Sequence, residues 1–296
     1  MPALICNHRI IMNTSTVEVS SGKDTAYENF PVGSWLLPAK LRPHIATFYH
    51  FARAADDIAD SPDLASEEKI LRLDQFEEGL SNKSSGENPP PQAGLMAASL
   101  IATNVTPSHC LDLLAAFKQD ATKTRYANWQ ELIDYCQLSA APVGRYLIDL
   151  HGGFKVGDQA GYEPSDALCA ALQILNHLQD CREDYQELDR VYLPADILAH
   201  NKAKIEDLTA TKATPSLRNC LNEILAGVDE LMRKAAALPT GLKSTRLAME
   251  SQAIINIANR LSRKLRQNDP IQGKVKLSKI EYITCCISGA LGSLFR

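Results

Sequence analysis

The sequence predicts a single all-α domain, and three observations support that prediction. Apolar residues recur at three- and four-residue spacing along most of the chain after about residue 34, which is the pattern of amphipathic helices. No segment alternates apolar and polar residues as a half-buried strand would, and no repeat or linker divides the 296 residues. We therefore expect one domain over residues 26–296, preceded by a loose, flexible arm over residues 1–25.

The composition is that of an ordinary globular protein, with 45% hydrophobic and 22% charged residues. The net charge of −4 argues against a nucleic-acid partner. Eight cysteines without a C-x-x-C motif, together with the lack of a clear signal peptide, predict reduced thiols and a cytoplasmic location. The apolar stretch 282–295 is too short to span a bilayer, and a peripheral membrane contact stays open as an alternative.

Start and stop signals divide the chain into helical segments. Pro43 stands where proline is tolerated at a helix start, and the stretch that begins at Asp63 carries the polar residues typical of a second start. The run SNKSSGENPPPQAG over 81–94 is predicted to be a loop. In chain order, the predicted helices cover 43–60, a segment that starts near 66, 106–122, 128–151, 164–187, 213–237, 241–267 and 276–294, with a short turn or helix within 188–200.

Three aspartates stand together in the first of these helices, in the stretch FARAADDIAD. Asp56 and Asp60 are four residues apart and therefore share a helix face, and Asp57 lies beside them. Arg53 precedes Asp56 by three residues and Tyr49 precedes Arg53 by four, so this face is polar over its length. Carboxylates in a largely buried helix are costly unless a positive group neutralises them, so the face predicts a cationic ligand.

A second helix repeats the pattern in the stretch QILNHLQDCREDY. There, one stripe of an otherwise apolar helix is polar at spacings of three and four residues, and it consists of Gln173, Asn176, Asp180 and Asp184. A lone D-x-x-x-D is ordinarily a solvated helix face, but two copies on apolar helices favour a site where oxygen atoms bind a hard cation. Mg²⁺ is commonly held by one or two carboxylates together with substrate phosphates. The two helices are therefore predicted to clamp a diphosphate through Mg²⁺.

Basic residues are expected on the other side of such a diphosphate. Arg53 and Arg190 are the candidates nearest in sequence to the two carboxylate motifs. A solvated surface is an equal or better interpretation for the remaining candidates, which are Arg260, Arg263, Lys264, Lys274 and Lys276.

Taken together, these segments resemble the squalene and phytoene synthase family, the trans-isoprenoid head-to-head synthases. The resemblance rests on both aspartate motifs in order, on YCQLSAAPVGRYL between them and on DRVYLP after them, and it spans most of the chain. It implies an isoprenoid-synthase fold around a central apolar cavity, with Mg²⁺ as cofactor and a prenyl diphosphate as substrate. By motif position it implies metal ligands at Asp56, Asp57, Asp60, Asp180 and Asp184, diphosphate-binding residues at Arg53, Gln173, Asn176, Arg190 and Tyr192, and catalytic roles for Tyr49 and Arg53.

Two departures from the family pattern narrow the expected reaction. The family's middle motif, Y-x-V-A-G-x-V-G, is replaced by QLSAAPVG, and Gln179 stands where an arginine is usual in the second aspartate motif. Loss of that always-charged donor weakens one diphosphate site, which argues against the joining of two prenyl diphosphates. The sequence resembles instead the bacterial hydroxysqualene synthases of the hopanoid pathway. This resemblance implies a carbon–oxygen lyase that ionises presqualene diphosphate and captures the cation with water, without NADPH.

The proposed reaction needs side chains that hold the attacking water and side chains that stabilise the carbocation. Tyr27, Glu28 and Tyr49 are the candidates for holding the water. A purely structural role stays open for two of them, Tyr27 as a packed aromatic residue and Glu28 as a helix cap or surface charge. Aromatic rings stabilise a cation in a dry cavity by about 2 kcal/mol or more. The candidate rings are Phe30, Trp35, Phe48 and Phe51.

Two other interpretations of the chain stay open. One is a presqualene diphosphate or phytoene synthase, which would condense two prenyl diphosphates. The other is a non-catalytic protein of similar fold that serves assembly or binds lipid. In either of the enzymatic interpretations, the expected protein partners are pathway enzymes of squalene and hopanoid synthesis.

Overall fold

The structure of the chain, a computed structural model, describes residues 37–81, 89–157 and 160–294. The predicted arm over residues 1–25 and the predicted domain start at residue 26 lie outside these ranges. The same is true of four candidate residues, Tyr27, Glu28, Phe30 and Trp35. What the sequence predicts for all of these stays a prediction.

The described residues form twelve α-helices and no β-strand, which confirms the predicted all-α class. A short 3-10 helix, Ile205–Thr209, stands between the eighth and ninth helices. In chain order the helices are α1 (Arg42–Asp60), α2 (Ser66–Leu80), α3 (Pro91–Thr103), α4 (Ser108–Asp120), α5 (Trp129–Ser139), α6 (Ala141–Leu150), α7 (Glu163–Leu188), α8 (Ala195–His200), α9 (Pro215–Ala235), α10 (Leu238–Gly241), α11 (Thr245–Gln267) and α12 (Lys279–Leu294).

Four of these helices differ from the prediction, and one of them is the short α10, which falls between the predicted helices 213–237 and 241–267. The segment predicted as one helix over 128–151 is two helices, because Ala140, with φ −123° and ψ −46°, leaves the helical region between α5 and α6. Pro142 lies in the first turn of α6, where its missing N–H is tolerated. Helix α3 was not predicted, and it begins at Pro91, inside the stretch predicted to be a loop.

The buried face of α1 sets the direction of its carboxylates. Apolar side chains on that face are buried at spacings of three and four residues, and they include Ile45, Phe48, Phe51, Ala55 and Ile58. Asp56, Asp57 and Asp60 follow at the edge of the same face and are only partly exposed. Helix α1 therefore holds its three carboxylates at the border between core and solvent.

The two carboxylate helices belong to different packing groups. Helix α1 packs against α2, α3 and α4, whereas α7 packs against α5, α6, α9 and α11. A largely apolar cavity is lined by both groups, through Ile45 of α1, Leu172 of α7 and Leu247 of α11, together with residues of α5, α6 and α10. This arrangement confirms the predicted central apolar cavity.

Helix α12 lies along α11 and makes the most extensive helix–helix contact of the described chain. The two backbones meet closely at Gly289, where an added Cβ would lie 2.4 Å from the backbone nitrogen of Ala253. Only glycine permits this approach. In the described part of the chain, no helix combines the length and apolarity that crossing a bilayer requires.

Candidate active site

The carboxylates of α1 are neutralised by arginines in this structure. The Arg53 guanidinium lies 2.7 Å from Asp57 and 3.2 Å from Asp56. Burial lowers the pKa of Arg53, but the charges of Asp56, Asp57 and Tyr49 outweigh it and leave the pKa above its ordinary value. Tyr49, Arg53, Asp56 and Asp57 therefore form one charged group. The helical spacing predicted Asp60 rather than Asp57 beside Asp56, but Asp60 pairs with Arg190 instead.

Asp60 has a partner from a distant part of the chain. The Arg190 guanidinium lies 2.5 Å from Asp60 and also donates to the carbonyl oxygens of Ala59, at 3.1 Å, and Asp120, at 3.2 Å. Arg190 is only 6% exposed. Its guanidinium thus joins the ends of α1 and α4 to the segment after α7, and binding of a diphosphate by Arg190 would require some of these bonds to open.

The carboxylates of α7 have a similar arrangement. Lys274, from the segment between α11 and α12, lies 2.7 Å from Asp180 and 3.7 Å from Glu183. Burial lowers the pKa of Lys274, but the hydrogen bond and the charge of Asp180 raise it above its ordinary value. Asp184 lies 3.9 Å from His177 Nδ1. One of the C-terminal lysines predicted as candidates is therefore placed at the second aspartate motif.

A buried carboxyl group that the sequence analysis missed lies between the two motifs. Tyr135 donates a hydrogen bond of 2.8 Å to Asp120 at the end of α4. The pKa of Asp120 is raised to about 7, mainly by burial and to a lesser extent by the charges of Asp60 and Asp184, while Arg190 and the hydrogen bond from Tyr135 lower it. Arg190 links Asp60 of the first motif to the Asp120 carbonyl oxygen. On the other side, the Tyr135 ring lies 6.2 Å from that of His177, which lies 3.9 Å from Asp184 of the second motif. Asp120 therefore stands between the two motifs.

Four aromatic rings pack against one another next to Asp120. His177 stacks on Tyr192 with ring centroids 3.5 Å apart, and Tyr192 lies 5.5 Å from Tyr126 and 5.7 Å from Tyr135. Burial raises the pKa of Tyr192 well above its ordinary value, so its hydroxyl stays protonated. His177 is buried.

The amide residues of α7 face the cavity. Gln173 and Asn176 are part of the cavity lining, and the Gln173 side chain lies 3.2 Å from His177. Gln179 is buried and donates to the carbonyl oxygen of Val275. The amide at the position where the family usually has arginine thus anchors the loop that precedes α12.

Two aromatic residues predicted to face the cation have another role. Phe48 stacks on Tyr146 at 4.0 Å, and Phe51 packs edge-on against Phe76 at 5.6 Å. Neither is among the residues that line the cavity. The prediction for these two rings is wrong because both lie on the buried face of α1, toward its neighbouring helices.

The donor set suits a hard cation. Both motifs offer only carboxylate oxygens, the ligand type that Mg²⁺ prefers. Among the described residues, no three His, Cys, Asp or Glu side chains converge on one point. An ion that takes the rest of its ligands from water and substrate phosphates needs no such cage, so the residues present fit Mg²⁺.

Comparison with known proteins identifies the class to which this fold and site belong. A model of the squalene/phytoene synthase family matches residues 24–281, which is most of the chain. The chain therefore belongs to the squalene/phytoene synthase family, as the sequence predicted.

Particular relatives are similar over nearly the whole chain. The hydroxysqualene synthase of Rhodopseudomonas palustris is 43% identical over 280 residues, which make up 95% of this chain and 93% of that protein. The hydroxysqualene synthase of Sinorhizobium fredii is 43% identical over 256 residues, 86% of this chain and 85% of that protein. The crystal structure of squalene synthase HpnC from Alicyclobacillus acidocaldarius, 30% identical, matches with a TM-score of 0.71 over 82% of this chain and 89% of that chain. The predicted isoprenoid-synthase fold is thereby confirmed.

Proposed function

We propose that the chain is a hydroxysqualene synthase, which converts presqualene diphosphate and water to hydroxysqualene and diphosphate. The observation that carries the proposal is a chain of contacts between the two aspartate motifs, beside an apolar cavity. The contacts run from Asp60 to Asp184, through Arg190, Asp120, Tyr135 and His177. The polar end suits a diphosphate with its metal, and the cavity suits the prenyl chains. The likeness to hydroxysqualene synthases over most of the chain supports this choice within the family.

The residues of the two motifs take the following roles in the proposal. Asp56, Asp57, Asp60, Asp180 and Asp184 hold Mg²⁺, which when bound supplies positive charge to the leaving diphosphate. Arg53, largely buried beside Asp56 and Asp57, would bind the diphosphate when those two carboxylates hold Mg²⁺ instead. The amides of Gln173 and Asn176, which line the cavity, orient the same group.

The apolar wall protects the carbocation that remains after the diphosphate has left. Water is excluded wherever the lining is aliphatic, so the cation rearranges before it is captured. The final capture requires no hydride, and we expect the reaction to proceed without NADPH.

The direct test supplies presqualene diphosphate and Mg²⁺ in water enriched in ¹⁸O, without NADPH. We expect hydroxysqualene that carries the label. Recovery of unreacted substrate, or of presqualene alcohol alone, would overturn the proposal. A parallel incubation with farnesyl diphosphate alone separates the condensing enzyme from this one, since only a condensing enzyme forms a coupled product.

Metal dependence is tested with the carboxylates themselves. Asp56→Asn and Asp180→Asn should each lower kcat by on the order of 100-fold, because each variant loses a carboxylate that holds the Mg²⁺ whose charge neutralises the leaving diphosphate. Diphosphate with Mg²⁺ should raise the Tm of the unaltered chain and not that of the variants. Asp74→Asn, at an exposed carboxylate on α2 that pairs with Lys118, is the matched control and should behave as the unaltered chain.

A peripheral membrane contact forms part of the proposal, because the substrate is a lipid. Helix α12 has a stripe of exposed apolar residues opposite the side that packs on α11, and the stripe consists of Ile280, Ile283, Ile287 and Leu291. The region around it is basic, since residues 260–294 contain seven Lys and Arg against two Asp and Glu, in a chain of net charge −4. One of the two acids, Glu281, is neutralised by Arg260 and Lys264. An apolar stripe with basic surroundings fits an anionic lipid surface.

Flotation with vesicles tests this contact. The protein should float with phosphatidylglycerol vesicles and remain behind with phosphatidylcholine vesicles. Ile283→Asp with Ile287→Asp should abolish flotation, whereas Leu71→Asp, at an equally exposed apolar residue on α2, should not. Equal flotation of both variants would contradict the membrane contact. So would a dimer of the unaltered chain that the double substitution converts to a monomer, because the stripe would then be a dimer interface.

A further inference from the structure

The wall of the apolar cavity contains one carboxyl group that the proposed roles above leave unused. Glu250 of α11 is 4% exposed and lines the cavity, next to Leu247 and Ile254 of the same helix. It is the one Asp or Glu in the lining formed by the described residues.

The Glu250 carboxyl group also affects the pKa of two side chains of helix α12. Burial, the Cys286 thiol and then the charge of Glu250 raise the pKa of Tyr282 to about 12. Burial and then Glu250 raise the pKa of Cys286 as well. The carboxyl group therefore lies on the side of the cavity where α11 meets α12, and its two titratable neighbours there stay protonated at neutral pH.

A second polar atom on the cavity wall comes from α5. Ser139 lines the cavity, and its Oγ is buried without a hydrogen-bond partner among the described residues. Buried hydroxyl groups are ordinarily hydrogen-bonded, so this atom is positioned for a partner inside the cavity. Ser139 belongs to the segment QLSAAPVG, which stands in this chain in place of the family's middle motif.

The reaction requires one water molecule at a fixed place in an otherwise dry cavity. Capture of a carbocation forms one C–O bond from a water lone pair and leaves an oxonium group, which must lose a proton. A base is therefore needed beside the water. Tyr49 lies with Arg53 at the carboxylate end and is not part of the cavity lining.

We propose that Glu250 holds the water that captures the carbocation, with Ser139 as its second hydrogen-bond partner. This inference rests on the proposed function. As the C–O bond forms, one O–H bond of the water breaks and its proton passes to the Glu250 carboxylate. The diphosphate released earlier is the only leaving group, so the charges and atoms balance.

The test separates ionisation from capture by measuring diphosphate release and the organic products in the same reaction. With Glu250→Gln, diphosphate release should stay within about threefold of the unaltered chain, since the residue acts after ionisation. The fraction of hydroxylated product should fall on the order of tenfold or more, and unsaturated hydrocarbons from proton loss should replace it. Ser139→Ala should shift the products in the same direction by a few-fold. Ser251→Ala, beside Glu250 on the same wall, is the control and should leave the product ratio unchanged.

Each result is decisive. An unchanged product ratio in Glu250→Gln overturns the inference, and so does a parallel loss of diphosphate release and hydroxylated product. If Glu250→Gln does not fold, Ser139→Ala decides the matter by the same product ratio. If the unaltered chain makes no hydroxylated product from presqualene diphosphate, it is the proposed function that fails.

Discussion

Arg190 and Asp60 are 130 residues apart in the chain, and their side chains meet at 2.5 Å. Arg190 is buried and makes two further hydrogen bonds to backbone carbonyl oxygens, at Ala59 and Asp120. One guanidinium therefore fixes the C-terminal ends of α1 and α4 relative to the segment that follows α7. The carboxylates of the two motifs keep their relative positions through this residue.

Replacement of Arg190 by methionine should destabilise the fold by about 3 kcal/mol, because Asp60 loses its buried partner and the Asp120 carbonyl oxygen loses the Arg190 donor. Arg190→Lys should recover only part of this, since an ammonium group cannot reach three acceptors in a plane. Urea unfolding measures both. The control is Arg266→Gln, which removes an exposed pair with Asp229 and should cost less than about 1 kcal/mol. Equal losses in the control and in Arg190→Met would contradict this account.

Asp120 should make stability depend on pH. Its pKa is about 7 in the folded chain and near 3.8 in an unfolded chain, so the folded state holds the proton more tightly. Its contribution to the free energy of unfolding is complete below the lower value and is lost as pH rises toward 7. Asp120→Asn keeps an acceptor for Tyr135 and has no proton to lose. The variant should therefore gain stability relative to the unaltered chain between pH 5 and 8, by a few kcal/mol at most.

The measurement for Asp120 is the free energy of unfolding in urea at several pH values. The other titrating groups are present in both proteins and cancel in the difference. Two parallel pH curves would show that Asp120 is ionised in the fold.

Lys274 should compete with a metal ion for Asp180, since it lies 2.7 Å from that carboxylate. Lys274→Met should therefore bind Mg²⁺ alone several-fold more tightly, because a positive charge within a few ångströms of the ion is removed. Isothermal titration with MgCl₂ measures the Kd. Lys276→Met removes an exposed lysine two residues away and should leave the Kd unchanged. A Kd that rises in Lys274→Met would place Lys274 among the groups that assist metal binding.

Gly289 should be essential for the close packing of α12 against α11. In Gly289→Val the Cβ would lie 2.4 Å from backbone atoms of Ala253, so the two helices must move apart, at a cost of about 3 kcal/mol or more. Gly292→Ala has no heavy atom within 4 Å of the added Cβ and should gain a few tenths of a kcal/mol from helix propensity. Urea unfolding compares the two. The close contact would be refuted by equal stability of both variants.

The helices that carry the site could be predicted from the sequence, because each has a clear periodicity. Helix α1 has buried residues at every third and fourth position, and α7 follows a polar stripe through an apolar segment. Helix α3 was missed because PQAGLMAASLIAT is apolar all round, with Leu95 and Ile101 exposed, and so lacks a polar face. The break at Ala140 interrupts no periodicity, and Pro142 was the one signal for it.

The pairings within the site could not be predicted, since they join residues far apart in sequence. Spacing places Asp180 on a helix face but cannot show that Lys274 lies opposite it. Asp120 resembles any carboxylate at the end of a helix, and only the packing of α4 against α5 brings Tyr135 to it. Arg190 was predicted at the site, but its burial follows from the contacts of α1 and α4, which no local pattern encodes.

Three aspartates of the two motifs form ion pairs within the protein, and this affects how the protein folds before it binds its substrate. The pairs are Asp57 with Arg53, Asp60 with Arg190 and Asp180 with Lys274. The polypeptide brings its own counter-ions, so newly made chains can reach the native state in a medium depleted of divalent ions. A chelator should then stop turnover and leave the melting curve in place. Binding of Mg²⁺ would then replace the arginine and lysine side chains at these carboxylates. The displaced arginines would become available to bind the diphosphate.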